Sequence, residues 1–388
     1  MSVSSSRKCS SSQPQENAMK FTANSIELQR TLNKVGGVVP SKSTMPILEN
    51  LLCELSNNIL TITATDLAIS LTVSLQVRGT EDGRVAIPAK RLMDTMKSLP
   101  DTSTAFAIDT TTNKIKITTE NGEYGLTGET AADFPPVPPF KGTSELSMES
   151  NMLRGLIHRT TFAVSTDELR PAMMGVLFQA KDTELRAVST DGHRLVKLSY
   201  RQLKFVPMKK DVVIPAKALL ILGKSLDEGE ITVSISETHV KFTFGQSFLV
   251  SRLIDETYPN YETVIPAEND KQMIVKRDEM ISSIRRVALY ASATTHQIRF
   301  DITKAALQIT AQDIDFGGEA KEKISCTYTG DTLEIGFNSV YLIDLLSHLE
   351  SEQVMFRFST PTRAGIVSPV GEESDSILML VMPVRLST

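Results

Sequence analysis

The sequence predicts an α+β protein made of three copies of one unit, each combining strands with two helices. Three observations predict it. Corners of an aromatic residue or Met followed by Pro, namely Phe134-Pro135, Tyr258-Pro259 and Met382-Pro383, recur at an equal spacing of 124 residues. Upstream of each lies a matching segment: IPAKRLMDTMKSL from Ile87 and IPAKALLILGKSL from Ile214 share eight of thirteen letters, and GFNSVYLIDLLSHL from Gly336 keeps the apolar pattern alone. Further upstream come Thr65-Asp66-Leu67, Thr190-Asp191-Gly192 and Gln312-Asp313-Ile314, each after an alternating apolar segment. Landmarks in one order at constant spacing are the mark of an internal repeat. The units expected are 19–143, 144–266 and 267–388, preceded by a disordered tail at 1–18 rich in Ser, Gln and Pro. Met19 opens the ordered sequence and is a candidate natural start.

Within a unit, the elements follow from periodicity. Apolar residues at Leu67, Ile69, Leu71, Val73, Leu75 and Val77 alternate with Ser70, Thr72, Ser74 and Gln76, which predicts a strand with one buried face. Ile231, Val233, Ile235 and Val240, Phe242, Phe244 flank a Glu237-Thr238-His239 turn and predict a hairpin. Helical spacing runs from Ile26 to Val39, through Leu92, Met93, Met96 and Leu99, and through Met280, Ile281, Ile284, Val287 and Ala288. Pro88 and Pro215 stand just before helices, where a missing N–H costs least.

Composition narrows the function classes. A chain of 388 residues exceeds what one core usually serves, and 41% apolar with 22% charged residues is ordinary globular composition, not disorder. No stretch approaches the roughly 20 apolar residues of a membrane span. Cys9, Cys53 and Cys326 are too scattered for a disulfide framework or a zinc site, which fits a reducing cytoplasm. The five histidines lack the spacing metals use, and no metal or cofactor is implied.

The net charge of −5 means that any nucleic-acid binding needs basic residues gathered on one face. The six helical segments together carry +6, leaving −11 for the rest of the chain. One reading is that Lys and Arg, good helix formers, decorate solvated faces. The other is that the helices offer positive potential to phosphates through Arg30, Lys34, Lys42, Lys90, Arg91, Lys97, Arg154, Arg159, Lys217, Lys224, Arg285 and Arg286. No recognition-helix or finger motif accompanies them, so contact to the backbone of duplex DNA, independent of base sequence, is the form such binding takes.

Thr190 to Leu195, TDGHRL, invites an enzymatic reading with His193 as general base and Asp191 orienting it. Against that, Asp-Gly after a strand is common turn chemistry, and no P-loop, Gly-x-Ser-x-Gly or dinucleotide fingerprint joins it. A hydrolase and a repeat scaffold binding only protein are the competing classes.

MKFT at Met19, TMPIL at Thr44, TDL at Thr65, IPAK at Ile87, ADFP at Ala132, TDGHRL at Thr190, YPNY at Tyr258 and VMPVRL at Val381 together resemble the bacterial beta sliding clamp, over residues 19 to 386. The resemblance implies three DNA-clamp domains, each two helices backed by antiparallel sheet, with two subunits closing head to tail into a ring. It also implies a non-catalytic processivity factor whose helices line the hole. Its partners would be the replicative polymerase, the clamp loader and repair polymerases, each docking a short Leu/Phe-anchored peptide. Carried over residue by residue, the peptide cleft falls on Met173, Thr190, Gly192, His193, Arg194, Leu195, Pro259, Val264, Leu380, Met382, Pro383, Val384 and Arg385, and the subunit contact on Tyr124, Leu126, Leu289 and Tyr290. Each of those four serves equally well as core. Met173 replaces a usual aliphatic residue, and Pro171 and Ala172 stand where bulkier residues are frequent.

Overall fold

The computed structural model describes residues 18–181, 184–201, 210–313, 316–371 and 376–386. Cys9, Ile314, Ser387-Thr388 and all of the expected tail except Ala18 lie outside them; Ala18 is the first residue of a strand, Ala18–Asn24.

Six α-helices stand among the described residues: α1 Ser25–Gly36, α2 Ala89–Ser98, α3 Ser150–Thr160, α4 Ala216–Ser225, α5 Arg277–Ala288 and α6 Ser339–Ser347. They pack in sequential pairs, α1 on α2, α3 on α4 and α5 on α6. Helix α1 forms because Leu28, Leu32 and Val35 recur on one buried stripe and Asn24 caps its start, the Asn24 Oδ1 accepting from the N–H of Ile26 at 2.9 Å and of Glu27 at 3.2 Å. It stops at Gly36, three residues short of the periodic pattern. Asn338 caps α6 in the same way. Pro88 and Pro215 occupy the N-cap positions of α2 and α4. In every copy a strand runs straight into the second helix: Gly83–Pro88 into α2, Val212–Pro215 into α4, Leu333–Asn338 into α6.

The chain divides into two compact units. The first runs to Pro139 and takes in Gln246–Val250. It holds a five-stranded antiparallel sheet in the order Arg78–Glu81, Ala18–Asn24, Ser103–Asp109, Lys114–Thr118, Glu123–Thr127, with Phe21 and Phe106 stacked at 4.6 Å. A second antiparallel group orders Ile69–Gln76, Ile59–Thr65, Asn50–Ser56 and Gly83–Pro88. The strand expected to bury one face buries both. It spans Ile69–Gln76, and Ser70 and Thr72 are each only 4% exposed. Helix α1 packs on this strand and its neighbour. The hydroxyls are satisfied across the ladder, Thr63 with Thr72 at 2.9 Å and Thr65 with Ser70 at 2.8 Å.

The second unit comprises Phe140–Gly245 and Ser251–Thr388. Its nine-stranded sheet has the order Val212–Pro215, Gly175–Lys181, Glu184–Thr190, Arg194–Tyr200, Ser376–Val381, Gly365–Pro369, Gln353–Phe358, Lys271–Lys276, Thr327–Tyr328. The second and third repeats therefore share one sheet, joined where Leu195 pairs with Leu380. The expected hairpin is present, Glu230–Ile235 against His239–Phe244 with Ile235 opposite Val240. A four-stranded sheet, Gly318–Ser325, Ala306–Asp313, Gln297–Thr303, Leu333–Asn338, completes the third repeat.

Candidate DNA-facing helices and partner cleft

The Thr-Asp-x turn is built identically in the first two repeats. Thr65 Oγ1 accepts from the Leu67 N–H at 3.1 Å and donates to the Ile69 carbonyl; Thr190 Oγ1 accepts from the Gly192 N–H at 3.1 Å and donates to the Arg194 carbonyl. Asp66 Oδ1 accepts from the N–H groups of Ala68 and Ile69, and Asp191 Oδ1 from those of His193 and Arg194. Asp313 begins the same pattern by accepting from the Phe316 N–H at 3.2 Å. Asp191 is thus a turn-former whose second oxygen takes the Arg194 Nε–H at 3.0 Å. These bonds leave the Asp191 carboxylate facing Arg194 and the turn backbone, while the His193 ring stacks on Tyr341 at 5.6 Å. What distinguishes the second copy is the set Gly192, His193 and Arg194 where the first has Leu67, Ala68 and Ile69. Gly192 suits its φ of +91°, whereas Leu67 holds +75° with a side chain attached.

The residues carried over for the cleft gather around this turn and the last strand. The Met382 N–H donates to the His193 carbonyl at 2.8 Å, and the Val384 N–H to the Gly336 carbonyl at 2.9 Å, which lays the chain after Val381 between the turn and the start of α6. Exposure separates them. His193, Pro259, Val264, Met382 and Arg385 are open to solvent, Pro383 and Val384 half-buried, and Thr190 and Met173 nearly closed off. Leu195 and Leu380 are 1% and 2% exposed. They sit in a buried cluster with Leu177, Val188, Val213 and Tyr261, so they are core residues and not open to a ligand. Burial pushes the adjoining Tyr258 hydroxyl above its ordinary range. Three neighbours escaped sequence reasoning: Tyr341 on α6, Asp344 one turn on, and Arg170, whose Nη1 donates to the Asp191 carbonyl at 3.4 Å. Only the apolar pattern survives in the third copy of the IPAK segment, which hides Tyr341 from letter matching. A separate half-open cavity of about 840 Å³ borders Pro259 and is lined by Arg186, Asp211, Glu237, Arg252 and Glu262 among others; of the cleft residues it touches Pro259 alone.

The basic residues are distributed along the helices as follows. Lys90 and Lys97 on α2 and Lys217 and Lys224 on α4 are exposed and occupy matching positions, seven residues apart in each helix, so each pair lies on one face of its own helix. The corresponding positions on α6 are Val340 and Ser347, and the third repeat lacks this pair. Arg30, Lys42, Arg91 and Arg285 are exposed, and Lys34 and Arg159 half-buried. Arg154 donates to the Leu226 carbonyl at 3.0 Å and to Asn151, and Arg286 makes a bidentate pair with Glu322, both bonds 2.6 Å. That pair holds the Glu322 carboxyl below its usual range.

Of the four residues assigned to subunit contact, Tyr124 is exposed on Glu123–Thr127, the outer strand of its sheet, and Leu126 faces the core at 9% exposure. Leu289 and Tyr290, at the end of α5, are 81% and 49% exposed. Phe316, in the turn before the outer strand Gly318–Ser325, is 90% exposed and went unnoticed in the sequence.

Three like units of paired helices on antiparallel sheet define a DNA-clamp architecture. Residues 19–138, 147–260 and 262–385 match, in order, the N-terminal, central and C-terminal domains of the DNA polymerase III beta subunit. The beta sliding clamp of Pseudomonas putida is 34% identical over 373 residues, covering 95% of this chain and all of that protein. Among solved structures, the DnaN sliding clamp of Bartonella birtlesii bound to griselimycin superposes with a TM-score of 0.90 at 30% identity, and that of Pseudomonas aeruginosa with 0.89 at 31%, each over 95% of this chain and 100% of the other. The chain belongs to the DNA polymerase III beta subunit family, the sliding clamps that give that polymerase processivity.

Proposed function

We propose that two copies of this chain close head to tail around duplex DNA and hold replication and repair proteins on it without turning over a substrate. The division at 143 and 266 marks the three domains, and six of them make the ring. Contact with DNA runs through phosphates, led by Lys90, Lys97, Lys217 and Lys224 and assisted by Arg30, Lys34, Lys42, Arg91, Arg154, Arg159, Arg285 and Arg286. The observation that carries this reading is the repeated exposed lysine pair on α2 and α4, in a chain whose net charge is −5. A fixed positive face on an acidic protein directs binding to polyanions, and contact without base readout permits sliding.

Partners dock a short extended peptide of the Gln-Leu-x-Leu-Phe kind on the surface of His193, Pro259, Val264, Met382, Pro383, Val384 and Arg385, with Met173, Thr190, Gly192, Arg194, Leu195 and Leu380 framing it. Flexible, polarisable Met side chains suit a site that accepts several ligands. Replicative polymerase, clamp loader and repair polymerases are the partners expected. Tyr124 and Leu126 of one subunit meet Leu289 and Tyr290 of the next. The absence of turnover is supported by the engagement of Asp191 with the Arg194 side chain and the turn backbone instead of the His193 ring, and the site of action is the cytoplasm. No helix among the described residues is long and apolar enough to cross a membrane.

The test compares nicked circular with linear DNA. Protein placed on circles by a clamp loader is expected to stay through a salt wash and to leave once the circle is cut. Equal loss from both forms would refute encirclement.

A further inference from the structure

Arg194 stands among the cleft residues as one of two arginines at its edge. We infer that Arg194 is a positioning residue that locks the two walls of the cleft together and leaves ligand contact to its neighbours. This rests on the cleft being the peptide site. The guanidinium is engaged within the chain: Nε–H donates to Asp191 Oδ2 at 3.0 Å, Nη1 to Asp344 Oδ2 at 2.6 Å and Nη2 to the Phe162 carbonyl at 2.9 Å. Its flat faces are covered as well, Cζ lying 5.3 Å from the centre of the Phe162 ring and 5.0 Å from that of Tyr341. The side chain is 11% exposed.

The groups it joins come from separate elements. Phe162 follows α3 and Asp191 forms the turn, both in the second repeat, whereas Tyr341 and Asp344 project from α6 in the third. The His193 ring lies on Tyr341 at 15° between planes, so the separation of turn and helix sets where His193 stands. The guanidinium is shielded from water although the Asp344 side chain is 41% exposed, and a charge-assisted bond closed off on one side holds geometry better than a pair exposed on both. Releasing Asp344 from Arg194 frees α6 from the turn and spoils the cleft, although Asp344 is not among the residues carried over for peptide contact.

The experiment measures fluorescence anisotropy of a labelled Gln-Leu-Ser-Leu-Phe peptide with wild type, Arg194→Gln, Asp344→Asn and the double variant. Asp344→Asn is expected to bind about tenfold more weakly, Arg194→Gln more weakly still because it also loses the bonds to Asp191 and Phe162, and the double no more weakly than Arg194→Gln, because the bond to Asp344 is already gone. Amidating the peptide's terminal carboxylate should change affinity by the same factor in wild type and in Arg194→Gln. Full affinity in Asp344→Asn with loss in Arg194→Gln, or an amidation effect that disappears only without the guanidinium, makes Arg194 a direct anchor and overturns the inference. Arg194→Lys, which keeps the charge and can reach Asp344, gives an intermediate affinity and carries the same test if the Gln variant does not fold. Full binding by Met382→Ala, or none by wild type, overturns the cleft reading and this role with it.

Discussion

Leu67 and Gly192 occupy the same place in the same turn, and only one of them is glycine. A left-handed conformation costs an L-residue about 1–2 kcal/mol, part of which glycine returns through the freedom of its unfolded chain. Leu67 is 51% exposed and loses little burial on truncation. Leu67→Gly should therefore stabilise the protein by about 0.5–1 kcal/mol, read from the shift of a urea unfolding midpoint. At His348, burial holds the imidazole below the usual histidine range, with the neighbouring His158 and Arg194 adding to the effect and the Asp344 carbonyl opposing it. The folded state thus resists a proton that the unfolded chain accepts. The contribution is complete above the unfolded value of about 6.5 and is lost as the pH falls through the window below it. Stability should drop from pH 7 to 5, and His348→Gln should flatten that slope. An unchanged slope would place the titration elsewhere.

At the scale of elements, helices α2 and α4 present matched lysine pairs while α6 presents Val340 and Ser347, so the repeats are alike in fold and unequal in charge. Reversing Lys217 and Lys224 together should weaken retention on DNA of every sequence and lower the salt slope by about one for each phosphate that is no longer neutralised. Arg286→Ala is expected to do much less, because Glu322 already holds that guanidinium with two 2.6 Å bonds. Filter binding over a salt series separates the two. An Arg286 effect as large as the lysine effect would mean that the pair opens when DNA arrives. The strand Ile69–Gln76 teaches a related lesson, since its alternation of apolar and hydroxyl residues reads as one wet face, whereas Ser70 and Thr72 are closed off in the folded chain.

For the whole molecule, the question is closure. In the proposed ring three domains span half of six, and a cyclic dimer needs two identical contacts between unlike surfaces. Tyr124 on one outer strand, and Leu289, Tyr290 and Phe316 beside another, are the exposed apolar groups at those edges. Light scattering should give twice the 42.6 kDa chain mass at micromolar concentration. Leu289→Glu should shift it to the single-chain mass and abolish retention on circular DNA while leaving peptide affinity intact, because the cleft lies within one chain. A Leu289→Glu protein that remains dimeric would remove this residue from the interface.

The sequence by itself determined the triplication, the class and the placing of the landmarks, because a repeat preserves spacing and periodicity even where letters drift. Pro88, Pro215 and the Thr-Asp turns announce their local structure through short-range hydrogen bonding and fixed dihedrals, which depend on neighbours in the chain. Tertiary structure alone decided the rest. That Leu195 and Leu380 lie in the core, that Arg194 and Arg286 are already engaged, and that Tyr341 meets His193 are consequences of long-range pairing between the second and third repeats or between α5 and the sheet beside it. Charge and polarity in a sequence say what a side chain can bind; only the folded chain says which partner reaches it first.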